Sequence, residues 1–263
     1  MIQIGDICNV LEAFAPLDLQ ESYDNSGLII GSRADEATGV LICLDVTPEV
    51  LDEAISLGYN MILSHHPVIF NGLKKLVGAN LTEQISIKAI RHHLNIYAGH
   101  TNVDVARGGV NDQMAKKLGL KQSTVFMPSR SENDQAYGLG IIGELEKPLS
   151  ESEFLERVKT TFHCNRIRHS GLKGKTIQKV ALCGGSGASL ISQAIIQNAD
   201  AYLTGEAKYN DFLDHADQLL FVDAGHYETE QFTKEIFLDL LSKKFPTFAL
   251  RISTKETNPV QYF

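Results

Sequence analysis

The stretch Tyr59–Pro67 (YNMILSHHP) joins a short apolar run to two adjacent histidines. The run Met61–Leu63 is typical of a buried strand, and the polar residues after it mark the opening of a loop. Neighbouring residues on a regular strand face opposite sides, so His65 and His66 reach one site only if the chain curls there, which Pro67 favours. The stretch therefore predicts a strand that presents two imidazoles at its end.

The same pattern recurs at a constant offset of 140 positions. Without a gap, this offset pairs Cys43 with Cys183, Ala54-Ile55 with Ala194-Ile195, Leu63-Ser64 with Leu203-Thr204, and His65-His66 with Gly205-Glu206. Both stretches are typical of a strand, a turn, a helix and a second strand that ends at a polar loop. We predict an α/β fold of two similar α/β domains from an internal duplication, and the alternative is convergence of two α/β units on similar apolar patterns. In open α/β sheets, ligands bind at the carboxyl ends of the strands.

The length of 263 residues suits two domains of ordinary size. The polar segment Ser129–Gln135 carries alternating charges and is predicted to be the linker. The predicted domains are therefore residues 1–128 and 129–263, with the C-terminal tail packing back on the first. Thr47-Pro48 predicts the start of a helix that Gly58 ends, and a second helix is predicted over Ser150–Phe162.

Composition excludes several classes of function. The net charge of −8 leaves no basic surface for a long nucleic-acid duplex, so nucleic acid is not an expected partner. The four cysteines lie far apart without Cys-x-x-Cys spacing, which is typical of buried thiols in a reducing compartment. The N-terminal residues lack the features of a signal peptide, and no stretch reaches the roughly 20 apolar residues of a membrane span. We expect a cytoplasmic protein that does not enter a membrane.

The motif Ala-Gly-His, followed by an acidic residue, occurs twice. Asp104 lies four positions after His100, and Glu230 lies four positions after His226. A histidine and a carboxylate at this spacing share one face of a helical turn. Together with the two adjacent histidines, these residues offer enough nitrogen and oxygen donors for a pair of metal ions.

The predicted ligands are three imidazoles and two carboxylates: His65, His66, Asp104, His226 and Glu230. Such a set suits two divalent ions per chain, whether zinc, iron or manganese. Five protein ligands leave positions open for water or substrate, which is typical of a catalytic site. Glu206 aligns with His66 in the duplication, and His100 is the counterpart of His226. These two residues are the candidates for proton transfer, and structural hydrogen bonding is their alternative role.

A glycine-rich turn follows the strand that ends at Cys183. Its residues Gly184, Gly185, Ser186 and Gly187 are either a plain tight turn or a cradle for a phosphate or carboxylate. The third glycine of the dinucleotide fingerprint is missing, so the turn does not predict NAD binding.

Five ordered motifs resemble the Nif-three-like dinuclear metal-centre family, whose members are often called GTP cyclohydrolase I type 2 homologues. The motifs are Ser64–Pro67, Gly99–Asp104, Cys183–Gly187, Thr204–Glu206 and Gly225–Glu230. The resemblance implies two α/β domains with a dinuclear metal site in the cleft between them, the ligands named above, and a toroidal homohexamer. Two positions depart from the family pattern. Tyr23 stands where the family usually has Trp, and Asn210 stands where many relatives have His.

The expected function is dinuclear, metal-dependent hydrolysis, in which a metal-bound hydroxide attacks a small, nucleotide-like substrate. The family name implies attack on the imidazole ring of GTP with release of formate. A dinuclear phosphoesterase is one alternative, because the same metal pair suits in-line displacement. The other is a non-catalytic metal-binding or regulatory protein.

Overall fold

The computed structural model describes residues 1–132, 135–215 and 217–263. The chain forms two compact units. Unit 1 comprises Met1–Ala106 and Phe232–Val260, and unit 2 comprises Arg107–Gln231 and Gln261–Phe263.

Unit 1 is a five-stranded sheet with five described helices. In chain order, its elements are α1 (Ile4–Phe14), β1 (Gly27–Ile30), β2 (Val40–Cys43), α2 (Pro48–Leu57), β3 (Met61–Ser64), α3 (Leu81–Arg91), β4 (Asn95–Ala98), α4 (Thr101–Val105), α10 (Thr233–Lys244) and β11 (Leu250–Ile252), with a short 3₁₀ helix over Leu17–Leu19. The strand order is β1-β4-β3-β2-β11, and only β1 runs antiparallel to its neighbour among these strands.

Helix α2 begins and ends at residues whose local chemistry favours it. The Thr47 side chain accepts a hydrogen bond from the Val50 N–H and caps α2, and Pro48 occupies its first turn. Gly58 ends that helix in a left-handed conformation, with φ of 70°. Strands β2, β3 and β4 are buried along their whole length, as expected for parallel strands covered on both faces.

Unit 2 is a six-stranded sheet, also covered by helices. In chain order, its elements are α5 (Val110–Leu118), β5 (Leu120–Glu132), β6 (Gln135–Ser150), α6 (Glu151–Phe162), β7 (Arg168–His169), β8 (Thr176–Cys183), α7 (Ile191–Ile196), β9 (Ala201–Thr204), α8 (Tyr209–His215), β10 (Leu220–Asp223) and α9 (His226–Glu230), with a 3₁₀ helix over Ala188–Leu190. The strand order is β5-β6-β8-β9-β10-β7, in which β8, β9 and β10 are parallel and the other pairings are antiparallel. The predicted helix at Ser150 is confirmed, with a capping box formed by Ser150 and Glu153.

Corresponding strands of the two sheets pair at equivalent sequence positions. In unit 1, Cys43 pairs with Ser64, and in unit 2 Cys183 pairs with Thr204. The offset between the two pairs is the 140 positions noted in the sequence. This shared register is what an internal duplication predicts, and the mixed α/β class is confirmed.

The division of the chain differs from the one predicted. Unit 2 begins at Arg107 instead of residue 129, because α5 and the long β5–β6 hairpin belong to the second sheet. The predicted linker is wrong where it is described, since Ser129–Glu132 end β5 and Gln135 begins β6, and Asn133 and Asp134 lie outside the described residues. Leu250–Ile252 belongs to unit 1, where it pairs with β2.

Throughout the described part of the chain, every helix is too short or too polar to cross a lipid bilayer.

Candidate metal centre

The parallel strands of unit 1 bring three histidines together. Strands β2, β3 and β4 end level with one another, because Cys43 pairs with Ser64 and Ser64 with Ala98. His65 and His66 come directly after β3, and His100 lies two residues beyond the end of β4. Each of the three offers a ring nitrogen within 4.8 Å of the others. The strand-end position inferred from the sequence is thus where the imidazoles meet.

His65 is fully buried, and its ring orientation is fixed by the backbone. Its Nδ1 lies 2.8 Å from the carbonyl oxygen of Gly99. A carbonyl only accepts hydrogen bonds, so Nδ1 carries a proton and donates it to this contact. The other ring nitrogen, Nε2, lies 3.7 Å from Oδ1 of Asp104, so a nitrogen and an oxygen that could both bind a metal ion lie side by side.

His66 has the same arrangement with a side chain as its acceptor. Its Nδ1 lies 2.8 Å from Oδ1 of Asp45, which follows β2 at the same edge of the sheet. A carboxylate that accepts a hydrogen bond from Nδ1–H fixes the orientation of the ring, which is the usual outer support of a metal-binding histidine.

His100 is held by a carboxyl that lies far away in sequence. The side chain of Asp24 is fully buried and accepts hydrogen bonds from His100 Nδ1 at 2.6 Å and from Thr101 Oγ1 at 2.5 Å. Burial by itself would raise the pKa of this carboxyl, but the hydrogen bonds from His100 and Thr101 outweigh it and hold the pKa well below its usual range. Asp24 therefore remains an anion, and it fixes the His100 ring with its Nε2 lone pair facing away.

In unit 2, the second histidine–carboxylate motif lies on the short helix α9. His226 Nδ1 lies 3.1 Å from Oε2 of Glu206, and His226 Nε2 lies 3.1 Å from Oε2 of Glu230. The helical spacing of four residues predicted this second contact. Glu230 is buried whereas Glu206 is largely exposed, so Glu206 orients the ring from the solvent side.

The glycine-rich turn packs directly against this pair. Gly185 has φ of +58°, and a Cβ at this position would lie 2.1 Å from Oε1 of Glu230. Three of the turn's N–H groups donate to side chains of unit 2: Gly184 to Asn111, Gly185 to Thr229 and Gly187 to Thr204. These contacts favour a structural turn, since the donors that an anion would need are engaged within the protein.

The four imidazoles share one feature that tests the fit of a metal. In His65, His66, His100 and His226, Nδ1 lies beside a carbonyl or carboxylate oxygen, which accepts a hydrogen bond and orients the ring. Carboxylate oxygens of Asp104 and Glu230 lie beside the other ring nitrogen, Nε2, in two of these histidines. These histidine and carboxylate groups could hold a metal ion.

Two residues with clear roles were missed in the sequence. Asp45 follows β2 as His66 follows β3, so the strand-end rule applied to every strand would have found it. Asp24 lies in a turn before β1, 76 positions from His100, and no spacing rule connects them. Asn210, the departure from the family pattern, is an exposed residue in α8.

Comparison with known proteins covers both units of the chain. The family model described as Duf34/NIF3 (NGG1p interacting factor 3) matches residues 2–259. A Clostridium acetobutylicum protein named GTP cyclohydrolase 1 type 2 homolog is 34% identical over 230 residues, which are 87% of this chain and 85% of the relative. A Lactococcus lactis protein of the same name is 34% identical over 269 residues, with 98% of each chain covered. The crystal structure of Staphylococcus aureus hypothetical protein SA1388 matches with a TM-score of 0.90 and 32% identity, covering 100% of this chain and 99% of that one.

Proposed function

This chain belongs to the Duf34/NIF3 family, and on that premise we propose that it is a metal-dependent hydrolase acting on a nucleotide-like substrate. The observation that carries the proposal is the common state of the imidazoles: each Nδ1 lies beside an oxygen that accepts its hydrogen bond, and each ring lies close to a further histidine or carboxylate that could share a metal ion. Structural histidines have no reason to share this state, whereas metal ligands need it.

The proposed ligands are the five residues inferred from the sequence. They are His65, His66 and Asp104 in unit 1 and His226 and Glu230 in unit 2. Zinc, iron and manganese all suit imidazole and carboxylate donors, and two ions per chain match the number of donors. When bound, two such ions would supply Lewis acidity and lower the pKa of water, which is the chemistry that hydrolysis requires.

The remaining polar residues would hold the ligands in place and move a proton. The Gly99 carbonyl orients His65, and the carboxylates of Asp45 and Glu206 orient His66 and His226. His100 would accept a proton from water or substrate at Nε2, since Asp24 holds its Nδ1 proton and stabilises the resulting cation. Glu206, the other proton-transfer candidate, has a defined contact with His226 Nδ1, and we propose orientation as its main role.

The substrate class rests on the names of relatives. Two relatives with 34% identity are named GTP cyclohydrolase 1 type 2 homolog, which supports a nucleotide-like substrate for this chain.

The test is elemental analysis of protein purified without chelator, combined with a product screen. We expect about two divalent ions per chain and metal-dependent release of formate from GTP or a related nucleotide. Release of inorganic phosphate instead would identify a phosphoesterase. Bound metal without turnover of any nucleotide or phosphoester would contradict the hydrolase proposal and favour a metal-binding or regulatory role.

A further inference from the structure

Two large aromatic side chains of unit 1 lie exposed beside the histidine cluster. Tyr23 is 61% exposed and Phe70 is 43% exposed. A single exposed ring is ordinary on a protein surface, but two neighbouring rings next to a group of potential ligands are a candidate binding surface.

The rings form a continuous series that ends at the candidate metal ligands. The centroid of Tyr23 lies 6.3 Å from that of Phe70, and Phe70 lies 6.2 Å from His100 in an edge-to-face arrangement. His100 in turn lies 5.3 Å from His65 and 5.5 Å from His66. We call Tyr23 and Phe70 the aromatic wall.

One turn fixes the position of the aromatic wall relative to His100. Asp24 accepts the hydrogen bond from His100, and the next residue, Asn25, donates from Nδ2 to the carbonyl oxygen of Ile69 at 2.6 Å. Ile69 directly precedes Phe70, so consecutive residues of the turn fix the ring-bearing loop and the imidazole. The wall is therefore preorganised, which lowers the entropic cost of binding a flat ligand.

We propose that the aromatic wall binds the planar heteroaromatic ring of the substrate by stacking and directs the adjacent bonds toward the histidine cluster. This inference rests on the proposed function and narrows its substrate to compounds that carry such a ring, for example a purine. The face of a tyrosine or phenylalanine ring stacks on any nucleobase without requiring particular hydrogen-bond donors.

The size of the wall argues for a small molecule. A stable protein partner needs about 800 Å² on each side, whereas two aromatic side chains present only about 150–250 Å² each even when fully counted. A single ring system matches the area available.

The test compares equilibrium binding of guanosine 5′-monophosphate and ribose 5-phosphate, which differ only in the base, by titration calorimetry on the holoprotein. We expect the wild type to prefer the nucleotide by on the order of tenfold or more. Tyr23→Leu and Phe70→Leu should each remove most of that preference, whereas Tyr23→Trp should retain it. Both Leu variants keep an apolar side chain at an exposed position, so the fold should survive.

Leu76→Ala and Val77→Ala are the matched controls, because both residues are exposed and belong to the same loop region as Phe70. These control variants should prefer guanosine 5′-monophosphate over ribose 5-phosphate as strongly as the wild type does. The proposal is overturned if the wild type binds both probes equally, or if the preference is unchanged in both Leu variants. Metal content, measured on the same samples, should not change in any variant. A protein without metal or turnover would refute the proposed function, while the binding preference would still decide the role of the wall.

Discussion

The buried carboxyl of Asp24 accepts a hydrogen bond from His100 Nδ1 at 2.6 Å, although 76 positions separate the two residues. The contact joins the turn before β1 to the residues that follow β4. Strands β1 and β4 are antiparallel neighbours in the sheet. It also fixes the tautomer of the imidazole that lies against His65 and His66. One hydrogen bond therefore serves both the fold of unit 1 and the chemistry of the site.

We expect Asp24→Asn to lower the free energy of unfolding by about 1–3 kcal/mol at pH 7, the cost of losing charge-assisted hydrogen bonds in a buried position. The pKa of Asp24 is lower in the folded protein than in the unfolded chain. The carboxylate thus stabilises the fold above the unfolded pKa of about 3.9, and this contribution is lost as the pH falls toward the folded pKa. The difference between wild type and variant should shrink below about pH 4. Urea unfolding at pH 7 and at pH 3.5 measures it.

The control for this experiment is Asp52→Asn, since Asp52 forms an exposed ion pair with Lys88 and should cost at most about 1 kcal/mol. An equal loss of stability at both pH values in Asp24→Asn would contradict the assignment.

His66→Ala and Glu230→Ala should each lower the metal content from about two ions per chain to one or none, with the fold retained. His92→Ala is the control, because His92 is an exposed residue at the end of α3. Mass spectrometric metal analysis after dialysis measures the content. Unchanged content in both ligand variants would refute the proposed set.

Gly185→Ala should lower metal content and stability together, because the added Cβ would meet the Glu230 carboxylate. Gly174→Ala is a matched control, since Gly174 has φ of +70° and open space around it. Both substitutions place a non-glycine residue in a left-handed conformation, which destabilises the fold by about 1 kcal/mol. Only Gly185→Ala also displaces Glu230. Equal metal content in the two variants would show that the turn does not set the position of the carboxylate.

Glu206→Ala should weaken metal affinity by about tenfold, the low end of the range for residues that orient a ligand, because Glu206 is 60% exposed. Glu206→Gln retains an acceptor for His226 Nδ1 and should recover most of the affinity. Competition with a chromogenic chelator gives both values, and Glu146→Ala, at another exposed position, provides the baseline. If Glu206→Gln keeps full affinity but loses turnover, proton transfer is its main role instead.

The family resemblance leads us to expect a homohexamer. Sedimentation equilibrium should give a mass of about six times the 29.0 kDa of the chain. A stable monomer at micromolar concentration would be evidence against this assembly.

Local chemistry made much of the fold predictable from the sequence. Thr47, Pro48 and Gly58 define α2, and Ser150 with Glu153 starts α6, because caps act over three or four residues. The strand-end histidines follow from the apolar run before them. The boundary at Arg107 was not predictable in this way, since it depends on the pairing of β5 with β6 and β8 in one sheet.

In the candidate site, too, local contacts were predictable from the sequence and long-range contacts were not. The contact of His226 with Glu230 follows from helical spacing, whereas those of His66 with Asp45 and of His100 with Asp24 require the folded sheet. Hydrogen bonds that close over 21 and 76 positions carry no periodic signal in the sequence.

The late return of the chain to unit 1 has a consequence for biosynthesis. Strand β11 covers one edge of β2, yet all of Arg107–Gln231 is translated before it. Until Leu250–Ile252 emerges from the ribosome, the nascent first sheet exposes the backbone donors and acceptors of β2, which is a template for pairing with other chains. A chain that ends before this strand should therefore aggregate more readily than the full chain.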